Sequence, residues 1–302
     1  MPDQERKKRI LFIVNPISGR RGNKNLPRII NDHIDKTKFE VSILETQYAG
    51  HATELSRRGV EESYDVIVAV GGDGTVNEVA SQMIHSDTVL GIIPGGSGNG
   101  LARHLNIPLT PVKAIELINH LHIMKIDTAK VNDVPFVSIA GVGFDALVAK
   151  KFAETNTRGF LTYLRIATNE FLNYKPKKYK LIFDEGKVIK QRAFFISFAN
   201  SNQFGYNTQI APNARLNDGK IDVCIAKKPS ILQVPILANL LLLKKIDKSP
   251  LMEVIPTTGV VVKRKRNRVV NLDGEPIKLK KNLYIKVIPA SLKIIIPENV
   301  KA

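Results

Sequence analysis

An open α/β domain with a parallel sheet, followed by a domain built on antiparallel sheet, is the fold class this sequence predicts. Three observations lead to it. A chain of 302 residues is longer than one hydrophobic core usually serves. Up to residue 124, short apolar runs alternate with amphipathic ones, the pattern of strand and helix repeats. From residue 125 onward, apolar runs are separated by tight-turn residues, which predicts hairpins. The expected division is residues 1–124 and 125–288, with 289–302 returning to the first domain.

In the first domain, residues 10–14, 41–45, 66–70 and 89–93 read as buried strands. Between and after them, 26–34, 52–64, 75–84 and 111–122 read as helices, the third opened by Thr75 as a cap. In the second domain, Asn132-Asp133 is a turn between strands 125–131 and 134–140, and Glu185-Gly186 a turn between strands 178–183 and 188–198. Helices are expected at 145–153, 159–174 and 231–245. The last strands are 260–264, 268–272 and 283–288, and 292–296 is the strand that returns.

Composition narrows the function. Hydrophobic residues make up 43% and charged residues 24%, so a disordered chain is excluded. The single cysteine, Cys224, rules out an internal disulfide or a Cys-based metal cluster, and its apolar run 221–226 predicts a buried, inert thiol. No apolar segment of secretory type follows the basic residues 1–9, and the longest apolar stretch, 231–243, is broken by Gln233, Pro235 and Asn239. A cytoplasmic location is therefore expected. Forty-five Lys and Arg against 28 Asp and Glu give +17, which suits an approach to anions. Basic clusters at 6–9, 175–180, 263–268 and 278–281 point to peripheral association with an anionic membrane surface.

The chemistry-bearing signal begins where the strand 66–70 ends in Gly71-Gly72-Asp73-Gly74-Thr75. Ligands of open α/β sheets bind at that end of a strand, and glycines there let backbone N–H groups approach phosphate oxygens at a helix start. Asp73 among such amides repels phosphate unless it holds a hydrated Mg²⁺ or accepts a proton from an attacking hydroxyl; an Asx turn is the plain alternative. A second loop, Pro94-Gly95-Gly96-Ser97-Gly98-Asn99-Gly100, follows the next strand. It scans loosely as a dinucleotide fingerprint but lacks the acidic residue on a following strand, and no P-loop motif occurs in the chain.

These residues resemble the diacylglycerol kinase catalytic domain family, which includes bacterial diacylglycerol and phosphatidylglycerol kinases and the sphingosine and ceramide kinases. The resemblance runs nearly end to end. Its pieces are Asn15-Pro16-Ile17-Ser18-Gly19, Thr46 with Ala49-Gly50-His51-Ala52, residues 71–78, residues 94–103, Asn217-Asp218-Gly219, and Asn271-Leu272-Asp273-Gly274-Glu275-Pro276. It implies a nucleotide-binding domain, a β-sandwich-like second domain and an active site in the cleft between them. It further implies ATP as co-substrate, Mg²⁺ as cofactor and a lipid hydroxyl as acceptor.

Matched position by position, the family's nucleotide site falls on Asn15, Thr46, Gly72, Asp73, Gly74, Thr75, Asn77, Glu78 and Ser97. A Mg²⁺ site falls on Arg215, Asp218 and Lys220, where Arg and Lys would bind through carbonyls; an Asn-Asp-Gly turn without metal is the alternative. The acidic pair facing the nucleotide falls on Asp273 and Glu275, and Asp73 stands beside them as a third candidate base. An extended segment puts Asp273 and Glu275 on one side, whereas Asp-Gly equally signals a hairpin turn.

Four features keep two readings. His51 reads as a phosphate donor or a helix-start residue. Phe160, Tyr163, Phe171 and Tyr174 read as core or as lipid pocket, and Leu237 to Leu243 with Lys244-Lys245 as buried helix or membrane contact. A homodimer is left open. Two rival functions are weighed. NAD kinases share a Gly-Gly-Asp-Gly-Thr loop before a β-rich domain, but residues 94–103 and 271–276 fit the lipid kinases better. A nucleic-acid module draws on +17 and Lys263-Arg264-Lys265-Arg266, yet no helix-turn-helix, zinc or RNP signature accompanies it, so no nucleic-acid partner is expected.

Overall fold

A computed structural model describes residues 6–18, 25–155, 159–205 and 208–300. The chain forms two compact units, Met1–Ile126 with Ala290–Ala302, and Asp127–Pro289.

The first unit is built on the parallel strands β1 (Lys8–Val14), β2 (Phe39–Glu45), β3 (Val66–Gly71) and β4 (Val89–Pro94), in the order β2-β1-β3-β4. Residues 290–295 of the last strand lie parallel to β4, Ile294 opposite Leu90. β3 and β4 are buried along their whole length, which explains their unbroken apolar runs; the edge strand β2 is partly exposed. The helices α1 (Leu26–His33) and α5 (Pro111–His120) cover one face through Leu26, Ile30, Ala114, Ile115 and Ile118, packed on Phe12, Val68 and Val70. Against the other face lies α2 (His51–Glu61), where a Cβ on Gly59 would fall 2.8 Å from Ile67 Cδ1 and 2.9 Å from Leu11 Cδ2. The bare glycine sets that close approach. α3 (Asp73–Ser81) and α4 (Gly100–His104) each start one loop beyond a strand, so their amino ends gather at the carboxyl end of the sheet.

The second unit is a sandwich of two antiparallel sheets. One has the order β14-β13-β10-β7-β16-β17, from β7 (Ile139–Gly143), β10 (Phe195–Ala199), β13 (Ile221–Ala226), β14 (Met252–Thr257), β16 (Arg268–Leu272) and β17 (Glu275–Leu279). The other joins β5 (Ile123–Val131), β6 (Val134–Phe136), β8 (Lys177–Phe183), β9 (Val188–Ala193), β15 (Gly259–Lys263) and the first half of β18 (Asn282–Ile295). Alternate residues such as Tyr179, Leu181 and Phe183 turn inward to meet Ile196, Phe198, Val223 and Val270 from the opposite sheet. A short hairpin, β11 (Gln203–Gly205) and β12 (Thr208–Gln209), and the helices α6 (Phe144–Ala153), α7 (Phe160–Phe171) and α8 (Val234–Leu242) complete the unit.

The expected fold class holds, with corrections of detail: 283–288 and 292–296 run as one strand, Thr75 lies inside the helix it was expected to cap, and two further segments divide. Segments 134–140 and 188–198, each read as one strand, are each two strands in different sheets. The first breaks at Val137-Ser138, whose amides donate to the Asp273 carboxylate instead of a ladder. The second breaks at Phe194, whose backbone bonds Phe144 and Ala226 while its ring packs on Phe144, Phe171 and Tyr174.

Candidate functional site

Two glycine loops meet at the carboxyl end of the parallel sheet. Gly95 N–H donates to Gly71 O at 2.7 Å, and a Cβ on Gly96 would lie 2.6 Å from Gly72 Cα, so the loops pack backbone on backbone. Asp73, at the start of α3, reaches across: its Oδ2 accepts from Asn99 N at 2.8 Å and its Oδ1 from Gly100 N at 2.6 Å. It thereby caps the neighbouring helix α4. Burial pushes the Asp73 carboxyl above its ordinary range, against the pull of those amides and of Arg103. Asn99 holds the second loop in shape, with a left-handed backbone, Gly96 N–H on its Oδ1 at 2.9 Å and its Nδ2 on Gly96 O at 2.7 Å. Ser97 is exposed on that loop.

Gly72 at the amino end of α3 offers no side chain to cap the first turn of Asp73, Gly74 and Thr75. Asn15, just past β1, donates its Nδ2 to Thr75 Oγ1 at 3.1 Å, and Thr46, just past β2, donates its amide to Val14 O. Gly19 of the first motif lies outside the described residues. Asn77 Oδ1 is buried without a hydrogen-bond partner. Glu78 faces the amino end of α2, its two oxygens accepting from Gly50 N at 3.2 Å and Ala52 N at 3.1 Å. His51 accepts the Gln47 amide on Nδ1 at 3.1 Å and stacks on Tyr48, a local role at the helix start.

In the second unit, Asp273 and Glu275 belong to a hairpin, not to one extended strand. Leu272 pairs with Glu275, and Asp273 and Gly274 form the two-residue turn with φ of 47° and 95°. The Asp273 carboxylate takes three amides, from Val137 (2.7 Å), Ser138 (2.9 Å) and Ile139 (2.7 Å), and its own amide donates to Ile139 O. Glu275 is exposed. Asn271 sets the turn, with Oδ1 accepting from Gly274 N and Nδ2 donating to both oxygens of Asp145. Asp145 is fully enclosed at the start of α6, and burial pushes its carboxyl up to about 6 against the Asn271 bond. A Cβ at Gly141 would overlap Asp145 Oδ2, so the bare glycine leaves room for that carboxyl.

Arg215, Asp218 and Lys220 stand exposed on the loop before β13. Asp218 Oδ1 accepts the Lys220 amide at 3.0 Å, an Asx turn, and Gly219 has a φ of 69°. Asp127 anchors the loop from beneath, accepting Gly219 N–H at 2.7 Å. Burial and the charge of Asp218 raise the Asp222 carboxyl to about 6, with Lys220 opposing. Among the described residues no three His, Cys, Asp or Glu side chains converge as a metal cage. Asp218 is the one carboxylate among the three residues matched to the Mg²⁺ site, and the turn it makes with Lys220 stands without an ion. Asn200 links this loop to the hairpin by donating to both Asp127 O and Val137 O at 2.8 Å.

No motif spacing in the sequence marks Asp127, Asp145, Asn200 and Asp222; the first three bond partners far along the chain, and Asp222 stands out only by its burial beside Asp218. Sequence reasoning also counted Arg264 in a solvated basic run. Arg264 is buried and donates to the carbonyls of Arg268, Val269, Leu279 and Lys280. Cys224 is buried and burial raises its thiol pKa, as an inert thiol requires. Phe171 and Tyr174 join the cluster around Phe144 and Phe194, and Tyr163 packs edge-on to Phe152; the Phe160 side chain lies outside the described residues.

Residues 9–131 match the diacylglycerol kinase catalytic domain, and residues 138–296 the YegS C-terminal NAD kinase beta sandwich-like domain. The diacylglycerol kinase of Bacillus subtilis (strain 168) is 30% identical over 274 residues, covering 89% of this chain and 90% of that protein. The diacylglycerol kinase of Staphylococcus carnosus (strain TM300) is 27% identical, with 89% of each chain covered. In fold, the chain is similar to the crystal structure of a diacylglycerol kinase from Bacillus anthracis str. Sterne, with a TM-score of 0.76, 22% identity, and 97% and 98% of the two chains covered.

Proposed function

Because the chain belongs to the diacylglycerol kinase family, we propose that it transfers the γ-phosphoryl group of ATP to the hydroxyl of diacylglycerol or a closely related lipid, with Mg²⁺. The observation that carries the reading is the start of α3, a helix turn entered through two glycines at the carboxyl end of a parallel strand. Its amides and dipole favour phosphate oxygens. The matching turn at α4 is already filled by Asp73, so the phosphate chain is assigned to Gly72, Gly74 and Thr75, with Asn15, Thr46, Asn77 and Ser97 around it. Glu78 supports that turn by bracing α2 against α3.

Of the three candidate bases, Glu275 is assigned the proton. Asp273 and Asp73 turn their oxygens to backbone amides of neighbouring segments, which aims each carboxylate at the protein and not at an acceptor. Their part is to hold loops in position. Glu275 is exposed at the start of β17, and its carboxylate takes the hydroxyl proton as that oxygen bonds phosphorus and the β,γ-bridging oxygen leaves with ADP. Mg²⁺, when bound, supplies charge neutralisation for the transferring group. The carbonyls of Arg215 and Lys220 with Asp218 are assigned to a second, structural ion.

A lipid acceptor obliges the protein to work at a membrane surface, and +17 suits an anionic one. Among the described residues no helix is long and apolar enough to cross a membrane. The test supplies purified protein with γ-labelled ATP, Mg²⁺ and micelles of diacylglycerol, phosphatidylglycerol, sphingosine or ceramide, with NAD as a separate acceptor. Label is expected in lipid, diacylglycerol first. Label in NAD and in no lipid would overturn the reading.

A further inference from the structure

The segment between β13 and β14 is as apolar as a core helix and yet is not in the core. No residue of α8 is buried, and Leu232 and Leu242 are 87% and 77% exposed, with Ile231, Ile236 and Leu243 also mostly in solvent. A helix that is hydrophobic on every side is ordinarily enclosed by protein or by lipid. Here the protein does not enclose it.

The helix is nonetheless built to persist. A capping box of Ser230 and Gln233 opens the turn that leads into it, and Pro235 stands in its first turn. At the other end Lys244 takes a left-handed φ of 57°, while Lys244 N–H donates to Leu241 O and Lys245 N–H to Leu240 O, the bonding of a Schellman stop. Both termini are therefore fixed by local bonds, although no residue between them is buried.

Charge identifies what covers the sides. From Ala226 to Ile246 the only charged residues are Lys227, Lys228, Lys244 and Lys245, two at each end of the apolar stretch, with no acid among them. Lys228 also donates to the carbonyls of Leu172 and Tyr174, which brings the entry of the segment beside the end of α7. There Leu172 is exposed, and Leu161 and Leu164 are exposed further along the same helix. Apolar surface with a collar of lysines fits a bilayer interface carrying anionic headgroups. A second copy of this chain fits poorly, because it would bring two lysine collars together. Nine residues of helix rise about 14 Å, too short to span a membrane and long enough to sink below the headgroups.

We propose that α8, with Ile231 and Leu232 before it and Leu243 after it, is the element by which this protein docks on anionic membranes. The proposal rests on the lipid-kinase reading only for its purpose, that of bringing the protein to a membrane-held acceptor. The natural chain has no tryptophan, so Leu232→Trp and Leu242→Trp provide clean reporters, with Val188→Trp on the exposed face of β9 as control. With vesicles of phosphatidylglycerol and phosphatidylcholine, emission from positions 232 and 242 is expected to shift to the blue and to be quenched by brominated acyl chains, and emission from 188 to stay unchanged. The pair Leu232→Ser and Leu242→Ser should weaken vesicle partitioning about tenfold or more, with circular dichroism and thermal unfolding unaltered.

Unshifted emission at 232 and 242 while the protein still phosphorylates lipid would sink the docking role and leave the kinase reading standing. Insertion without lipid phosphorylation would do the reverse. A sedimentation coefficient that falls from dimer to monomer in the double serine variant, with vesicle binding kept, would show the helix to be a contact between copies and overturn the proposal.

Discussion

Asp73 in the first unit and Asp273 in the second occupy comparable positions, each next to a glycine in a turn, and each spends its carboxylate on backbone amides of another segment. Asp73 ties the start of α3 to Asn99 and Gly100 of the next loop, and Asp273 ties a hairpin turn to the break at Val137, Ser138 and Ile139. They differ in what stands beside them. Next to Asp73 is a helix turn entered through glycines, whereas two residues from Asp273 is an exposed carboxylate, Glu275. The two aspartates are proposed as struts, and the reacting functions are assigned to the groups they hold.

The comparison breaks first at Glu275. Glu275→Gln is expected to lower kcat about thousandfold, the scale of a lost general base, with the thermal midpoint unchanged. Near-normal turnover would return the base to one of the aspartates. Next in size, Asp273→Ala strands three amides and is expected to cost about 3 kcal/mol of stability in urea unfolding, while Asp73→Ala strands two and costs about 2. Both also lose activity. If either variant lost activity at full stability, that aspartate would be reacting chemistry and not a strut.

What could be read from the sequence follows the range of the interactions. β3 and β4 were plain because a strand buried on both faces is apolar at every position, and the hairpin turns were plain because Asn132-Asp133 and Glu185-Gly186 carry turn chemistry within two residues. The breaks at Val137-Ser138 and Phe194 were not, since neither holds a glycine or proline; the partners that break them, Asp273, Phe144 and Ala226, lie far along the chain. The glycine loops were legible as turns because their glycines lie close together in the chain, whereas the amide partners of Asp73 and Glu78 come from other segments and left no local signal. For α8, hydropathy is the same whether the cover is protein or lipid, and only the packing separates the two.

The smallest expected effect concerns the support beneath the hairpin. Asp145 holds Asn271, which holds the Gly274 amide, and its carboxyl titrates at about 6 against an ordinary 3.8. Between those values the folded protein keeps a proton that the unfolded chain releases. Stability from this group is therefore greatest below about pH 4 and falls as pH rises to about 6, then levels off. Asp145→Asn keeps a neutral side chain of the same shape and should remove that slope. The difference in thermal midpoint between natural chain and variant is expected to move by a few degrees across this window and to be flat outside it. A difference independent of pH would mean that Asp145 is ionised in the folded protein, so that Asn271 is held by a carboxylate; the second unit would then rest on a buried charge where the first rests on amide-bonded Asp73.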